Sequence, residues 1–224
     1  MPKKNSSYYL KNSSDLGWGE NSVQLDKQRV DLLKKFVVGK RVLDVGCGLG
    51  VYVDFLTSWG KEAWGVDFVG EFIKKRDKPN FVRGRAEKLP FKDKEFDTVI
   101  LFDILEHGDD QKILAEAKRV ARSRILIIVP RVVDKNLADS GVVFRHYLDK
   151  SHLREYDRVM INSLSSAVKL KLRRLEVIHP LYNATIFLAL FEGNIIWRKI
   201  IRKIVWSLLP KKAYPTEWFA VLDK

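Results

Sequence analysis

The sequence predicts an α/β fold, an open and mostly parallel, doubly wound sheet with helices on both faces. Three observations carry this. Between residues 41 and 130, apolar runs of strand length alternate with stretches of helical spacing, which is the rhythm of strand–helix–strand units. The run EFDTVILF is nearly continuous in apolar residues, as a strand covered on both faces requires. Three glycines crowd into GCGLG directly after the first run, RVLDV, where a chain leaving a strand has to turn tightly.

Residues 1–20 are rich in Ser and Asn and read as a flexible arm, with Tyr8, Tyr9 and Trp18 available to fold over a site. From Ser22 onward Val23, Val30, Leu33, Phe36 and Val37 recur at helical spacing, with Asn21 or Ser22 as the N-cap. RVLDV is then a strand, GVYVDFLTSWG a helix stopped by Gly60, EAWGVD a strand, EFIKKR a short helix and NFVRG a third strand. EFDTVILF is the fourth strand, DDQKILAEAKRVAR a helix with a clear apolar stripe, and SRILIIVP a fifth strand closed by Pro130. Residues 131–156 form a connection long enough to expect a function of it. A helix at RVMINSLSSAVK, a sixth strand at LRRLEVIHP and a terminal strand at EWFAVLDK complete the chain. Residues 21–224 thus read as a single domain carrying the long loop 131–156 and a basic helical insert at 181–216, with no internal repeat.

The chain has 224 residues, 46% of them hydrophobic, enough for one domain of ordinary size to bury a core. A charged fraction of 31% in mixed stretches fits a folded protein and not a disordered one. The single cysteine excludes an intramolecular disulfide, and MPKKNSSYYLKNSSD is too polar for a signal peptide, so the expected compartment is the cytoplasm. Abundant Lys and Glu beside scarce Gln, Met and Cys point to a heat-adapted source. From Gln111 to Lys224 there are 22 Lys and Arg against 10 Asp and Glu, so +12 of the net +13 lies in the second half. That half is expected either to meet phosphates, nucleic acid or an anionic membrane, or to be a solvated basic surface.

In a doubly wound sheet, ligands sit beyond the carboxyl ends of the strands. Gly46, Gly48 and Gly50 put backbone without Cβ atoms at that edge. Asp67 ends the second strand 21 residues after Gly46, where an acid can accept hydrogen bonds from a ribose diol. A nicotinamide dinucleotide is the competing ligand, but GCGLG lacks the G-x-G-x-x-G spacing.

At these residues the sequence resembles the class I S-adenosylmethionine-dependent methyltransferases, of the small-molecule type with a methyltransferase domain. VLDVGCGLG is similar to their first motif, GVDF to the second, and RGRAEKLPFKDKEFDTVILFDILEH to the stretch through the fourth strand. The resemblance covers roughly residues 22–130 and returns in the last two strands. It implies a Rossmann-like, seven-stranded, mostly parallel sheet with an antiparallel terminal strand, and S-adenosyl-L-methionine as cofactor. Asp44, Gly46, Cys47, Gly48 and Gly50 would then surround the methionine half, with Asp44 alternatively bracing the loop and Cys47 a small residue tolerated in it. Asp67 would bind the ribose hydroxyls beside Phe68, Ala86 or Glu87 the adenine, and Phe102 or Asp103 would lie below the sulfonium.

Methyl transfer from a sulfonium is an in-line displacement, so alignment and exclusion of water come first and a base is needed only for an acceptor that holds its proton. LFDILEHGDD has no Pro-Pro-aromatic element, which argues against exocyclic base amines and leaves oxygen, carbon or carboxylate acceptors. DILEH resembles a segment of ubiquinone-biosynthesis O-methyltransferases and of enzymes that methylate small-RNA ends, some of which hold a divalent cation there. By that resemblance Asp103, Glu106 and His107, joined by His146 or His152, would be the ligands. Asp stands at 103 where Glu is expected and no adjacent His pair is present, so no metal is assigned. Instead His107 is expected as a base or loop-fixing donor, and Glu106 as the cap of the next helix. HLREY resembles an H-x-R-x-F/Y element that closes over the pocket in small-molecule and glycan methyltransferases. His146 and His152 thereby join His107 as candidate catalytic bases, and Arg145 and Arg154 could hold an acceptor carboxylate or phosphate unless they pair with nearby Asp.

Within residues 194–209, Trp197, Ile200, Ile201, Ile204, Val205 and Leu208 share one helical face, and Arg198, Lys199, Arg202 and Lys203 share the other. No acid occurs from Gly193 to Thr216, and the apolar runs are too short to span a membrane. Such a helix serves as a lid or dimer face, as a contact to an anionic membrane surface, or as a grip on RNA phosphates. The expected function is methyl transfer to oxygen or carbon of a small-molecule or lipid-linked acceptor, by a monomer or homodimer in the cytoplasm or at the membrane periphery. The alternatives are an RNA methyltransferase and a cofactor-binding pseudo-enzyme acting as an RNA- or partner-binding module.

Overall fold

The computed structural model describes residues 6–12, 25–133, 149–182 and 212–224, together with positions 201, 204, 207 and 208. In chain order these form α1 (Ser6–Asn12), α2 (Lys27–Phe36), β1 (Arg41–Val45), α3 (Val51–Ser58), β2 (Glu62–Asp67), α4 (Gly70–Arg76) and β3 (Phe81–Arg83). There follow β4 (Phe96–Phe102), a 3₁₀ turn (Leu105–His107), α5 (Asp110–Val120), β5 (Ala121–Pro130), α6 (Arg158–Ala167), β6 (Lys171–Tyr182) and β7 (Ala213–Asp223).

The seven strands lie in the order β3-β2-β1-β4-β5-β7-β6. All pairs from β3 to β5 are parallel, and β7 runs antiparallel to both of its neighbours. The predicted seven-stranded Rossmann-like sheet is therefore the observed one. Its side chains alternate between two cores. Ile125, Ile127 and Val129 of β5 join one buried cluster, and Leu126 and Ile128 join the other, as the period of two along a strand dictates. Both faces are covered, which is why β4 and β5 read as unbroken apolar runs.

The first helix starts later than its periodicity suggests. Asp26, not Asn21 or Ser22, is the N-cap of α2, accepting the Arg29 backbone N–H at 2.8 Å. Part of the N-terminal arm is ordered as α1, and Tyr9 is buried there with Val69 and Phe72. Leu181 and Tyr182, at the start of the expected insert 181–216, and residues 213–215, near its end, pair in the β6–β7 ladder. Among the described residues no helix is long and apolar enough to cross a membrane.

Successive strands leave β1 in opposite directions, toward β2 on one side and β4 on the other. The carboxyl ends of β1 and β4 therefore border the crevice where such sheets bind ligands.

Candidate functional site

The glycine loop leaves β1 bound to the next strand. Gly46 and Cys47 donate their N–H groups to the Val66 carbonyl at 2.8 and 3.2 Å. Gly50, at φ +76°, caps α3, and a Cβ there would stand 2.2 Å from Cε1 of Phe81. Gly48, at φ +51°, would meet nothing within 4 Å. A Cβ at Gly46 would stand 2.8 Å from Cδ1 of Ile104, so the loop packs tightly at Gly46 and Gly50 and opens at Gly48.

Asp67, the acid predicted for the ribose, braces this loop. Its Oδ2 accepts the Gly48 N–H at 2.9 Å and its Oδ1 the Val69 N–H at 2.8 Å. Burial raises its carboxyl above the ordinary range, against the opposing pull of these N–H groups. A carboxylate oxygen accepts more than one donor, so both oxygens keep capacity for a ligand. Asp44 is 3% exposed, and burial followed by the Asp67 charge pushes its carboxyl up to about 7. Burial also raises the Cys47 thiol well above its usual value, which makes it an inert small residue and not a nucleophile.

α1 covers this edge. The Tyr9 ring meets Phe68 edge-on at 5.2 Å and His107 at 5.8 Å, and Leu49 of the glycine loop packs on the same cluster. The arm thereby touches the segments following β1, β2 and β4 at once.

Across the crevice, Phe102 and Asp103 end β4. Asp103 has φ +53° and pairs with Nη1 of Arg29 at 2.6 Å. Arg29, whose side chain is 13% exposed, also donates from Nη2 to both oxygens of Glu217, at 3.1 and 3.0 Å. His179 spans Glu217 (Nδ1–Oε2, 2.7 Å) and Asp26 (Nε2–Oδ1, 2.9 Å). Burial alone would lower the His179 pKa, but its two carboxylate partners outweigh that and raise it. The Tyr52 ring stands edge-on to Phe102 at 5.7 Å. The wall behind the sulfonium position predicted at Asp103 is thus a chain of alternating charges from four elements.

The turn after β4 carries a second polar cluster. Glu106 is fully buried; it does not cap the next helix, whose N-cap is Asp109. Burial, with the Asp103 charge, raises its carboxyl far above the ordinary value. Nδ1 of His107 lies 2.8 Å from the Ser151 hydroxyl, and the His107 and His152 rings stand edge to face at 4.7 Å. Nε2 of His152 is 3.5 Å from Oδ2 of Asp149 and 4.0 Å from Oε1 of Glu106. Asp149 accepts from the Tyr8 hydroxyl at 3.0 Å and the Ser151 N–H at 2.7 Å.

The other expected residues are distributed as follows. Arg154 pairs with Asp110 at 2.6 Å, so it meets a nearby acid, as the surface reading allowed. Tyr156 is buried, and its N–H bonds the Pro130 carbonyl at 2.9 Å, which ties the long loop back to β5. Ala86 packs against the core, and Glu87 pairs with Arg85 at 3.5 Å, close to Gly108 of the turn after β4. His146, Arg145 and Trp18 lie outside the described residues, as does most of 194–209, where Ile204 and Leu208 are exposed. Arg29, Tyr52, Asp149, Ser151, His179 and Glu217 were not singled out from sequence. Asp149 and Ser151 did fall inside the connection 131–156 that was expected to carry a function, whereas Arg29 sits on a helix with nothing local to mark it.

Comparison with known proteins finds methyltransferases similar to part of the chain. Residues 43–129 match the family model for a methyltransferase domain. The chain is 32% identical over 117 residues to demethylmenaquinone methyltransferase of Renibacterium salmoninarum, covering 50% of this chain and 49% of that one. It is 31% identical over 114 residues to norajmaline N-methyltransferase of Rauvolfia serpentina, covering 46% and 39%. The chain therefore spans about half or less of the length of these two relatives. Among solved structures it is similar to a SAM-dependent methyltransferase from Archaeoglobus fulgidus, with a TM-score of 0.65 and 21% identity over 97% of this chain and 99% of that one.

Proposed function

We propose that the chain is a class I S-adenosylmethionine-dependent methyltransferase, and that it transfers a methyl group to oxygen or carbon of a small or lipid-linked acceptor. One observation carries the reading. The backbone at Gly48, open and braced by Asp67, follows β1, and the carboxylate and imidazole groups follow β4, its neighbour in the sheet, so both sets lie at the carboxyl ends of adjacent strands.

Residue by residue, Asp67 takes the ribose hydroxyls on the lone pairs its backbone donors leave, and Phe68 and Tyr9 close over that half. Ala86 and Glu87 face the adenine. Asp44, Gly46 and the rest of the loop surround the methionine half, and Phe102 and Asp103 lie beneath the sulfur. S-adenosylmethionine supplies an electrophilic methyl carbon on a good leaving group. What remains for the protein is to align the acceptor, exclude water and take up a proton. The Arg29 network fixes Asp103, and His107 and His152 receive the acceptor's proton, their tautomers biased by Ser151 and Asp149. A wall of carboxylate and imidazole suits hydroxyl or acidic carbon acceptors. A lipid-linked acceptor would meet the chain at an anionic membrane through the basic stretch 194–209.

Calorimetric titration with S-adenosylhomocysteine tests the reading. The expected result is micromolar binding to the native chain and none to Asp67→Ala. An equal affinity in the two proteins refutes the assignment of the loop.

A further inference from the structure

Both carboxylate oxygens of Glu106 are buried and accept no hydrogen bond from any described residue, and Oδ2 of Asp149 is in the same condition. A buried carboxylate without a donor is expensive to desolvate, and native structures almost always satisfy such a group. Glu106 does not stand alone. Glu106, His107 and His152 each offer one ligand atom, and these atoms lie within 4.8 Å of one another.

We propose that Glu106, His107 and His152 bind a divalent first-row transition cation such as Zn²⁺ or Fe²⁺, with Asp149 as a neighbouring carboxylate that orients or joins the set. Two imidazoles and a carboxylate suit that class of ion better than Mg²⁺ or Ca²⁺, which prefer all-oxygen shells. At metal–ligand distances of about 2.0–2.2 Å, two atoms on one ion stand about 3–4 Å apart, so the cluster closes on an ion with small side-chain shifts. The surroundings are those of a metal site. Nδ1 of His107 is held by the Ser151 hydroxyl at 2.8 Å, which fixes the orientation of the ring. Oδ2 of Asp149 lies 3.5 Å from Nε2 of His152, the same nitrogen that stands 4.0 Å from Oε1 of Glu106, so this carboxylate is placed beside the ligating atom, where it can join the set.

The set also differs from the one that sequence reading considers. Asp103 is taken by Arg29 at 2.6 Å, so the second carboxylate near the ion is Asp149, from the far side of the long loop. The site stands without reference to methyl transfer. If the methyl-transfer reading also holds, the ion would bind and acidify an acceptor oxygen at imidazoles that otherwise take its proton.

The test uses the full, untagged chain, stripped with a chelator and titrated with Co²⁺, Zn²⁺ or Mg²⁺ alone. Binding is followed by calorimetry and by the visible absorption of Co²⁺. The expected result is one Co²⁺ per chain with a nitrogen-ligated spectrum, displaced by Zn²⁺ and not by Mg²⁺. Glu106→Gln, which keeps the side-chain volume, and His152→Asn should each weaken binding by more than the roughly 10–100-fold that loss of an orienting partner costs, with Asp149→Asn inside that range. Absence of stoichiometric binding to the native chain overturns the proposal, as does native affinity in Glu106→Gln or preference for Mg²⁺. If His152→Asn does not fold, the Co²⁺ spectrum of the native chain and the Glu106→Gln titration decide. S-adenosylhomocysteine binding is measured on the same samples, so failure of the metal site and failure of the cofactor assignment are separate results.

Discussion

Replacing Gly50 by alanine asks the loop to do two things it cannot do cheaply. The new residue must keep φ near +76°, and its Cβ must find room where Cε1 of Phe81 stands 2.2 Å away. Left-handed backbone costs a non-glycine residue about 1–2 kcal/mol, and overpacking a fitted site about 1–3 kcal/mol. The expected loss is thus about 2–5 kcal/mol from a total of about 5–15 kcal/mol for a domain. Gly48→Ala is the matched control. It carries the backbone term alone, because nothing lies within 4 Å of its Cβ position, so it should lose about 1–2 kcal/mol. Urea unfolding of the three proteins measures the difference, with an unchanged m-value as the condition for comparison. S-adenosylhomocysteine binding should show the reverse order, with Gly48→Ala losing affinity through its new methyl in the crevice while staying folded. Equal destabilisation by the two substitutions would refute the division of the loop into a packed and an open glycine.

The remaining predictions concern the charged wall and the thiol. Arg29→Met removes the partner of Asp103 and Glu217; with Glu217 18% exposed and Asp103 40% exposed, the cost should fall at the low end of the buried-pair range, about 3 kcal/mol, and an unchanged urea midpoint would contradict it. His179 should titrate by NMR above its ordinary 6.5, and a midpoint below that value would show that burial wins over its carboxylate partners. Its contribution to stability is complete below 6.5 and fades as pH rises through the raised folded value. Burial works against the Glu217 carboxylate, but His179 and Arg29 hold its pKa below the ordinary 4.5, so its contribution is complete above 4.5 and fades as pH falls through the lowered value. The network therefore contributes most between the two ordinary values, and the stability gap between native chain and His179→Ala should be widest there. Cys47 should react with a thiol reagent only on unfolding, because burial raises its pKa and shields it; rapid labelling of the folded chain would contradict that.

Sequence alone determined what depends on neighbours along the chain. The glycine spacing after β1, the acid ending β2, the apolar runs of β4 and β5 and the stripe of α5 are local patterns, and each produced its element within a few residues. Where local cues competed, as between Ser22 and Asp26 for the cap of α2, two good capping residues stood close together and only the folded chain chose. The polar architecture of the site belongs to the tertiary structure. Arg29 meets Asp103 and Glu217 from opposite ends of the chain, and Glu106 meets His152 across the long loop. A single arginine on a helix or a glutamate after a strand has no periodicity to betray its partner, since charge pairing at a distance is set by strand order and loop closure. The sheet brings β4, β7 and α2 together at one edge, and that placement turns unremarkable residues into the wall of the crevice.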